Sequence, residues 1–239
     1  MKVLVTGGAS GLGSSILRKL AEENKYFVFF TYAKAQDLAK EYEALYSNVK
    51  AVYCNFNEDQ SVNELVNRIS EMDLDVLINN AGTQFHREHF YKTDSAVFLE
   101  GFTHNIIPVL KITQAALKVF RRKKFGKVIN IISSAILNTP PIGWSSYVAN
   151  KAYLLAISKS WVVENARFNI SINNVSPSFM QTGLTSDIDE RIIEQIKENH
   201  PLKEILTTDE VADAVLFFVR ASQQINGTNL IINSGTDLI

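Results

Sequence analysis

The sequence predicts an α/β fold in which helices cover both faces of a parallel sheet of about seven strands. Short runs rich in β-branched residues alternate with longer segments of helical period along the whole chain. The short runs are continuously apolar, as expected of strands that are buried on both faces. The segments between them are long enough for crossover helices, so the sheet is expected to be doubly wound.

Each predicted strand is a run of four to six residues, and each predicted helix spaces its apolar residues three and four apart. The predicted strands are residues 2–6, 26–31, 49–54, 75–78, 127–132, 171–175 and 229–232. The predicted helices are residues 12–23, 38–45, 59–70, 102–121, 146–164 and 208–219. Residues 179–201 have mixed polarity, and we expect an irregular segment that covers a site. Since no linker or repeat divides the chain, we expect a single domain over residues 1–239.

The composition is that of an ordinary globular protein. The 239 residues are 46% hydrophobic and 21% charged, which is enough to form a full core. The 24 basic and 25 acidic side chains nearly cancel, so neither nucleic acid nor an anionic membrane is an expected partner. One cysteine, Cys54, cannot form an intramolecular disulfide, and no signal or membrane segment is evident. We expect a soluble, cytoplasmic protein.

A glycine-rich turn, Thr6-Gly7-Gly8-Ala9-Ser10-Gly11-Leu12-Gly13, follows the first predicted strand. Glycines at this spacing allow a tight turn, a close approach of backbone to a pyrophosphate, and close packing of helix on strand. The first N–H groups of the new helix provide an anion site. The turn therefore predicts dinucleotide binding by Gly7, Ser10, Gly11, Leu12 and Gly13, and a merely flexible loop is the alternative.

The end of the second predicted strand indicates which dinucleotide is expected. An acid at this position usually bonds the adenosine ribose hydroxyls. This chain reads Phe30-Thr31-Tyr32-Ala33-Lys34-Ala35-Gln36 and has no acid there. The absence removes a repulsion against a 2′-phosphate, and Lys34 can pair with such a phosphate. The alternative is that Lys34 only begins the next helix in solvent.

A tyrosine and a lysine open the fifth predicted helix, in Ser146-Tyr147-Val148-Ala149-Asn150-Lys151. Because Tyr147 and Lys151 are four residues apart, they share one helix face. A neighbouring ammonium favours the phenolate and lowers the pKa of the phenol. Upstream, the segment Ile129-Asn130-Ile131-Ile132-Ser133-Ser134 is expected to bring the Ser133 and Ser134 hydroxyls to the end of a strand, where an open sheet binds ligands.

Taken together, these motifs resemble the short-chain dehydrogenase/reductase family, in its classical type, over essentially the whole chain. The resemblance includes the glycine turn, Asn79-Asn80-Ala81-Gly82, Asn105, Ser134 thirteen residues before Tyr147, Lys151, and the segment Asn174-Val175-Ser176-Pro177-Ser178-Phe179-Met180-Gln181-Thr182. It implies a single Rossmann-type domain and an NAD(P)-dependent oxidoreductase that interconverts a ketone and a secondary alcohol. NADPH is the expected cofactor, with NAD as the other choice.

The resemblance also implies a role for each matching residue. Tyr147 would exchange a proton with the substrate oxygen, and Ser134 would hydrogen-bond that oxygen. Lys151 would lower the phenol pKa and hold the nicotinamide ribose, while Asn105 would hold a proton-relaying water. The remaining implied cofactor contacts are Tyr32, Lys34, Asn55, Phe56, Asn80, Ala81, Gly82, Pro177, Ser178, Met180 and Thr182. The thirteen-residue spacing selects Ser134, so Ser133 is interpreted as a structural neighbour.

The substrate is left open. The closest sub-pattern is that of 3-oxoacyl-(acyl carrier protein) reductases, but sugar, polyol and small-ketone substrates are alternatives. Family members pack the predicted helices 102–121 and 146–164 across a two-fold axis, so a homodimer or homotetramer is expected. Enoyl reductases place the tyrosine and lysine farther apart and are disfavoured. The alternative from another class is a non-catalytic dinucleotide-binding sensor or scaffold.

Two residues depart from the family pattern, and a histidine pair and a basic run lie outside the motifs of the family. Asn55 stands where the family usually has an acid near the adenine, and Ser178 replaces a glycine. His86 and His89 have no third ligand motif, so no metal site is expected. The basic run at residues 121–124 is interpreted as a solvated helix end.

Overall fold

The computed structural model describes residues 1–137 and 139–236. Its strands are β1 (Lys2–Val5), β2 (Phe27–Tyr32), β3 (Val49–Tyr53), β4 (Val76–Asn79), β5 (Gly126–Ile131), β6 (Ile170–Pro177) and β7 (Asn229–Ile232). They form one sheet in the order β3-β2-β1-β4-β5-β6-β7, with parallel pairing throughout. The prediction of a doubly wound parallel sheet is confirmed. The last three residues of the predicted domain, 237–239, lie outside the described part.

Helices connect the strands and cover both faces of the sheet. They are α1 (Gly11–Ala21), α2 (Gln36–Leu45), α3 (Asp59–Met72), α4 (Ser95–Asn105), α5 (Ile107–Lys123), α6 (Ser145–Asn165), α7 (Glu190–Asn199) and α8 (Thr208–Arg220). Successive strand residues point to opposite faces, so Val3 and Val5 join the core beneath α1 and α8, whereas Leu4 joins the core beneath α3, α5 and α6. Trp161 on α6 lies in the second core.

The helix predicted at residues 102–121 is two helices in the structure. α4 ends at Asn105 and α5 begins at Ile107, with Pro108 in the first turn of α5. A proline has no N–H to donate, and its ring clashes with the carbonyl four residues earlier, here that of His104. Pro108 therefore breaks the helix beside Asn105.

The segment after β6 is more regular than the sequence analysis expects. Residues Gly183–Thr185 form a 3₁₀ turn, and α7 follows within the region predicted to be irregular. Asp189 caps α7 by accepting a hydrogen bond from the Arg191 N–H at 2.8 Å. The spacing of Ile192, Ile193 and Ile196 is helical, so the period was present in the sequence.

Hydrogen bonds between asparagine side chains link the three strands that lead to the site. Asn79, Asn130 and Asn174 are paired in register on β4, β5 and β6. Asn79 Nδ2 donates to Asn130 Oδ1 at 2.9 Å, and Asn130 Nδ2 donates to Asn174 Oδ1 at 3.0 Å. Because all three side chains are buried, these bonds also satisfy groups that would be costly to leave unpaired. Across the described residues, no helix has the length and apolar character needed to span a bilayer.

Candidate active site

The predicted site residues come together at the carboxyl edge of the sheet, where doubly wound folds bind ligands. Gly7 follows β1, Asn80 follows β4 and Ser133 follows β5, while Tyr32 and Pro177 end β2 and β6. The other predicted residues lie in the loops beyond these strand ends and in the first two turns of α1 and α6, except Asn105, which ends α4. The order of the strands therefore assembles the site from distant parts of the sequence.

The glycine turn needs its glycines for two different reasons. Gly7 and Gly11 have φ angles of +65° and +52°, a region that side chains rarely adopt. Gly13 faces the turn, and a Cβ there would lie 2.0 Å from the carbonyl oxygen of Gly7. The Gly7 N–H donates to Thr31 Oγ1 at 2.8 Å, which ties the turn to β2.

The first turn of α1 is suited to an anion. Ser10 precedes the helix in extended conformation, and its side chain does not cap the first N–H groups. No acidic residue lies in that turn. The uncapped N–H groups and the positive end of the helix dipole would therefore meet a pyrophosphate without a competing carboxylate. Since the buried Leu12 side chain points into the core, only its backbone is available to a ligand.

The segment after β4 lies directly against this turn. The Asn80 and Ala81 N–H groups donate to Thr6 Oγ1 at 2.9 and 3.0 Å, and Asn80 Nδ2 donates to the Thr6 carbonyl at 2.9 Å. A Cβ added to Gly7 would lie 3.0 Å from the Ala81 Cα. The two motifs form one rigid floor, which fits a dinucleotide.

The residues predicted to meet the adenosine lie at the ends of β2 and β3. The Tyr32 and Tyr53 rings meet edge to face, with centroids 5.8 Å apart. Lys34 is exposed in the short loop before α2 and has no ion-pair partner among the described residues. It is therefore free to meet a phosphate.

Asn55 and Phe56, which the resemblance implies as cofactor contacts, follow β3 and make contacts within the protein. Asn55 Oδ1 already accepts a hydrogen bond from the Asn57 N–H at 3.1 Å, and its Nδ2 donates to Glu58 at 2.7 Å. The Phe56 side chain is 7% exposed and belongs to the core. Any contact of Phe56 with a cofactor would involve its backbone.

The segment after β6 covers the glycine turn. The Ser178 N–H donates to the Ile232 carbonyl at 2.8 Å, while Met180 packs on the core. Thr185 Oγ1 accepts from the Thr182 N–H at 2.9 Å and fixes the next turn. A Cβ on Gly11 would lie 3.4 Å from the Thr182 Cβ. Thr182 thus lies above the turn that is predicted to hold the pyrophosphate.

Tyr147 and Lys151 lie in the first two turns of α6, beside the end of β5. The Lys151 ammonium is 5.8 Å from the centre of the Tyr147 ring. Its Nζ donates to the carbonyl of Ile131, the last residue of β5, at 2.6 Å. Ser133 and Ser134 follow that strand and are both buried. The structure therefore brings a phenol, an ammonium and two hydroxyls to one strand end.

Burial changes the protonation chemistry of this pair. Removal from water raises the pKa of the Tyr147 phenol, and a hydrogen bond with Ser133 partly opposes that rise. Removal from water also lowers the pKa of Lys151 to about 8. The net shift of the phenol pKa is upward, opposite to the lowering by Lys151 that the sequence predicts. The hydroxyl that bonds the phenol belongs to Ser133, which the family spacing predicts to be a structural neighbour.

Asn105 holds the loop after β4. Its Oδ1 accepts from the Thr83 N–H at 2.7 Å, and its Nδ2 donates to the Gly101 carbonyl at 3.1 Å. The side chain is thus used to position residues 82–83, and the structure does not bring it into contact with Lys151. The helix break at Pro108 places Asn105 where it can make these bonds.

An aromatic cluster that sequence motifs do not identify surrounds Tyr147. Its ring centre is 4.5 Å from that of Phe85 and 5.4 Å from that of Trp144, and Phe85 and Trp144 are 4.9 Å apart. The Arg87 guanidinium lies 4.8 Å from the Phe85 ring centre and 5.4 Å from that of Trp144. The position of Trp144 three residues before Tyr147 is the only sequence signal for this cluster.

The histidine pair and the basic run make contacts with neighbouring side chains. His86 Nε2 lies 3.3 Å from a Glu88 carboxylate oxygen. In the part of the chain that the structure describes, no three His, Cys, Asp or Glu side chains form a group suited to a metal ion. Within the basic run, Arg121 donates to Asn165 Oδ1 at 2.7 Å, and Lys123 pairs with Asp75 at 2.6 Å.

Comparisons with known proteins identify the family. The family model described as enoyl-(acyl carrier protein) reductase matches residues 7–237. The 3-oxoacyl-[acyl-carrier-protein] reductase FabG of Aquifex aeolicus is 30% identical, covering 97% of this chain and 95% of that protein. The chain belongs to the short-chain dehydrogenase/reductase family. The resemblance inferred from the motifs is thereby confirmed.

Two further members are similar over nearly their whole length. The acetoacetyl-CoA reductase of an Acinetobacter species, strain RA3849, is 28% identical, covering 97% of this chain and 96% of that protein. The crystal structure of a short chain dehydrogenase from Burkholderia cenocepacia J2315 in complex with NADP superposes with a TM-score of 0.84 at 26% identity. That comparison covers 99% of this chain and 97% of that one.

Proposed function

We propose that the protein reduces a ketone to a secondary alcohol with NADPH as the electron donor. The observation that carries this proposal is the position of Tyr147 and Lys151 at the end of β5, beside a glycine turn suited to a pyrophosphate. The FabG and acetoacetyl-CoA reductase relatives and the NADP complex support it. The predictions of an oxidoreductase and of NADP(H) use agree with these relatives, and a non-catalytic sensor or scaffold is not favoured.

The cofactor supplies a hydride to the carbonyl carbon when it is bound. The phosphates would be held by the first turn of α1 and the ribose by Lys151. Tyr147 donates the proton that the substrate oxygen requires, and its raised pKa keeps the phenol protonated at neutral pH. The Ser133 and Ser134 hydroxyls are the donors available to orient the carbonyl oxygen. The rings of Phe85 and Trp144 pack against the Tyr147 ring and restrict its position.

A 3-oxoacyl thioester is the substrate class that the relatives support best. Both named reductases among the relatives act on acyl groups of this type, as their names state. The rings of Phe85 and Trp144 provide an apolar wall beside Tyr147, which suits the carbon chain of such a substrate. Sugars and polyols fit this wall less well because their hydroxyls would lose water there.

Reduction of an enoyl carbon–carbon double bond is the second candidate, since the matching family model carries that description. The four-residue spacing of Tyr147 and Lys151 favours the carbonyl reaction, as the sequence analysis argues. The two reactions differ in the bond that is reduced, so they can be separated directly.

The test is NADPH oxidation by the purified protein with three substrates: acetoacetyl-CoA, crotonyl-CoA and cyclohexanone. The proposal predicts loss of NADPH absorbance with acetoacetyl-CoA and formation of the 3-hydroxyacyl product. Turnover of crotonyl-CoA alone would establish the enoyl reaction instead. Tight NADPH binding without turnover of any substrate would favour the sensor or scaffold alternative.

We also propose that the chain acts as one domain in the cytoplasm and assembles into a dimer or tetramer. Exposed apolar side chains on the helices support assembly: Leu99 on α4 is 69% exposed, and Val163 on α6 is 81% exposed. Burial raises the pKa of the Cys54 thiol to about 12, so this free cysteine is unreactive and compatible with a reducing compartment. A monomer mass from light scattering at micromolar concentration would refute the assembly.

A further inference from the structure

Arg87 connects three parts of the site. It belongs to the loop after β4, and its guanidinium stacks on the two rings that flank Tyr147. Its Nη2 donates to the Leu184 carbonyl at 2.7 Å, and its Nη1 pairs with Asp187. Leu184 and Asp187 lie in the segment that also carries Thr182. One side chain therefore joins the aromatic cluster to the segment above the glycine turn.

The third nitrogen of the Arg87 guanidinium group, Nε, lacks a partner among the described residues. Arg87 Nε is buried and has no hydrogen-bond acceptor among the described residues. An arginine has five N–H donors and cannot shed its charge, so a buried N–H without an acceptor is costly. Stacking on Phe85 and Trp144 holds the guanidinium group in place but does not supply an acceptor atom. A water molecule or a ligand oxygen would satisfy this N–H group.

The geometry points to Arg87 as a specificity-determining residue whose Nε–H donates to a second oxygen of the substrate, distinct from the one that is reduced. This inference rests on the proposed function. The substrate class it names is a ketone with an additional carbonyl or carboxylate oxygen, rather than an isolated ketone. The Asp187 carboxylate already balances the Arg87 charge, so a neutral carbonyl oxygen suffices as the acceptor.

The burial of its side chain also distinguishes Arg87 from its neighbours in the loop. The neighbours His86, Glu88 and His89 have side chains that pair locally or face solvent, whereas the Arg87 side chain is only 21% exposed. Asp187 is 65% exposed, so its ion pair with Arg87 adds little stability. A residue that served only as a surface ion pair would not require stacking on two rings.

The test compares Arg87→Lys with wild type on two types of substrate. Lysine keeps the charge but lacks the Nε–H and the planar fork. We expect kcat/KM for the N-acetylcysteamine thioester of acetoacetate to fall about 10- to 100-fold, mainly through KM, as for loss of a charged hydrogen bond. The value for cyclohexanone should change less than threefold. Acetoacetate as a third substrate shows whether a carboxylate serves as well as a thioester carbonyl.

Two variants separate this role from a structural one. Asp187→Asn removes the ion pair but keeps Arg87, and Arg191→Lys makes the same substitution at a side chain that is 91% exposed. Both should leave the ratio of the two kcat/KM values unchanged. An equal loss on both substrates in Arg87→Lys, or no loss on either, would overturn the inference.

A binding measurement distinguishes failure of this inference from failure of the proposed function. The NADP⁺-loaded protein cannot reduce the thioester, so calorimetry reports binding alone. The inference predicts that the thioester binds wild type about 10- to 100-fold more tightly than Arg87→Lys. Equal binding to both would contradict the role of Arg87. Binding that differs as expected, without any NADPH oxidation, would refute only the proposed reaction.

Discussion

The Lys151 ammonium donates a 2.6 Å hydrogen bond to the carbonyl of Ile131, where β5 ends. This bond fixes the start of α6 against the strand that carries Ser133 and Ser134. It also places a positive charge under the Tyr147 ring. The position of the charge depends on the strand end, so the fold itself sets the distance between ammonium and phenol.

The first prediction concerns pH. Burial lowers the pKa of Lys151 from 10.5 to about 8, so its ammonium loses the proton as pH rises through about 8. Because a neutral amine donates a weaker hydrogen bond to the ribose than an ammonium does, NADPH affinity should decline above this pH. Lys151→Arg keeps its charge and should flatten the decline, whereas Lys159→Arg on the exposed face of α6 should not. Fluorescence titration from pH 6 to 9.5 measures this, and a flat wild-type profile would contradict it.

The second prediction separates Ser133 from Ser134. The Ser133 hydrogen bond lowers the phenol pKa, so Ser133→Ala should raise that pKa further. The pH profile of alcohol oxidation should then shift to higher pH. Ser134→Ala should reduce kcat while leaving the profile in place, since the family spacing assigns that hydroxyl to the substrate oxygen. Identical shifts in both variants would show that the two hydroxyls share one role.

The third prediction tests cofactor choice at Lys34. The side chain is exposed and unpaired in the described part of the chain, so a 2′-phosphate would be its only strong partner. Lys34→Ala should weaken NADPH binding about tenfold or more and change NADH binding little. Lys40→Ala, on the exposed face of α2, is the matched control. If Lys34→Ala weakened both cofactors alike, the phosphate contact would be wrong.

The fourth prediction concerns the glycine turn. In Gly13→Ala the new Cβ would lie 2.0 Å from the Gly7 carbonyl oxygen, and the turn must shift. We expect a loss of about 1–3 kcal/mol in stability, which lowers Tm by roughly 2–12 °C, and weaker NADPH binding. Gly183→Ala is the control, because a Cβ at Gly183 would meet no atom within 4 Å. Calorimetry that gave equal Tm values for both variants would argue against the close packing.

The sequence determines the fold and the cofactor turn well because both depend on local patterns. Apolar runs define the strands, and the spacing from Gly7 to Gly13 follows from the turn alone. The helix break at Pro108 and the helical period of Ile192, Ile193 and Ile196 are likewise local features of the sequence. These differences concern where elements begin and end, not their order in the sheet.

The surroundings of Tyr147 could not be predicted in the same way. Phe85 and Arg87 are about sixty residues from Tyr147 in the chain, and only the adjacency of β4 and β5 brings their loops together. The contact of Ser133 with the phenol depends on how the chain turns after β5, which spacing does not specify. Side-chain burial, which determines both pKa shifts, is likewise a property of the folded chain.

The most direct test of the central claim is the turnover of Tyr147→Phe with saturating NADPH. This substitution keeps the ring and its packing against Phe85 but removes the hydroxyl. Tyr153→Phe is the control on the same helix, since that ring packs on Phe102 instead. If Tyr147 donates the proton, turnover of acetoacetyl-CoA falls about 10²–10⁴-fold in Tyr147→Phe and stays near wild type in Tyr153→Phe, with NADPH binding intact. Near-normal turnover by Tyr147→Phe would contradict the account.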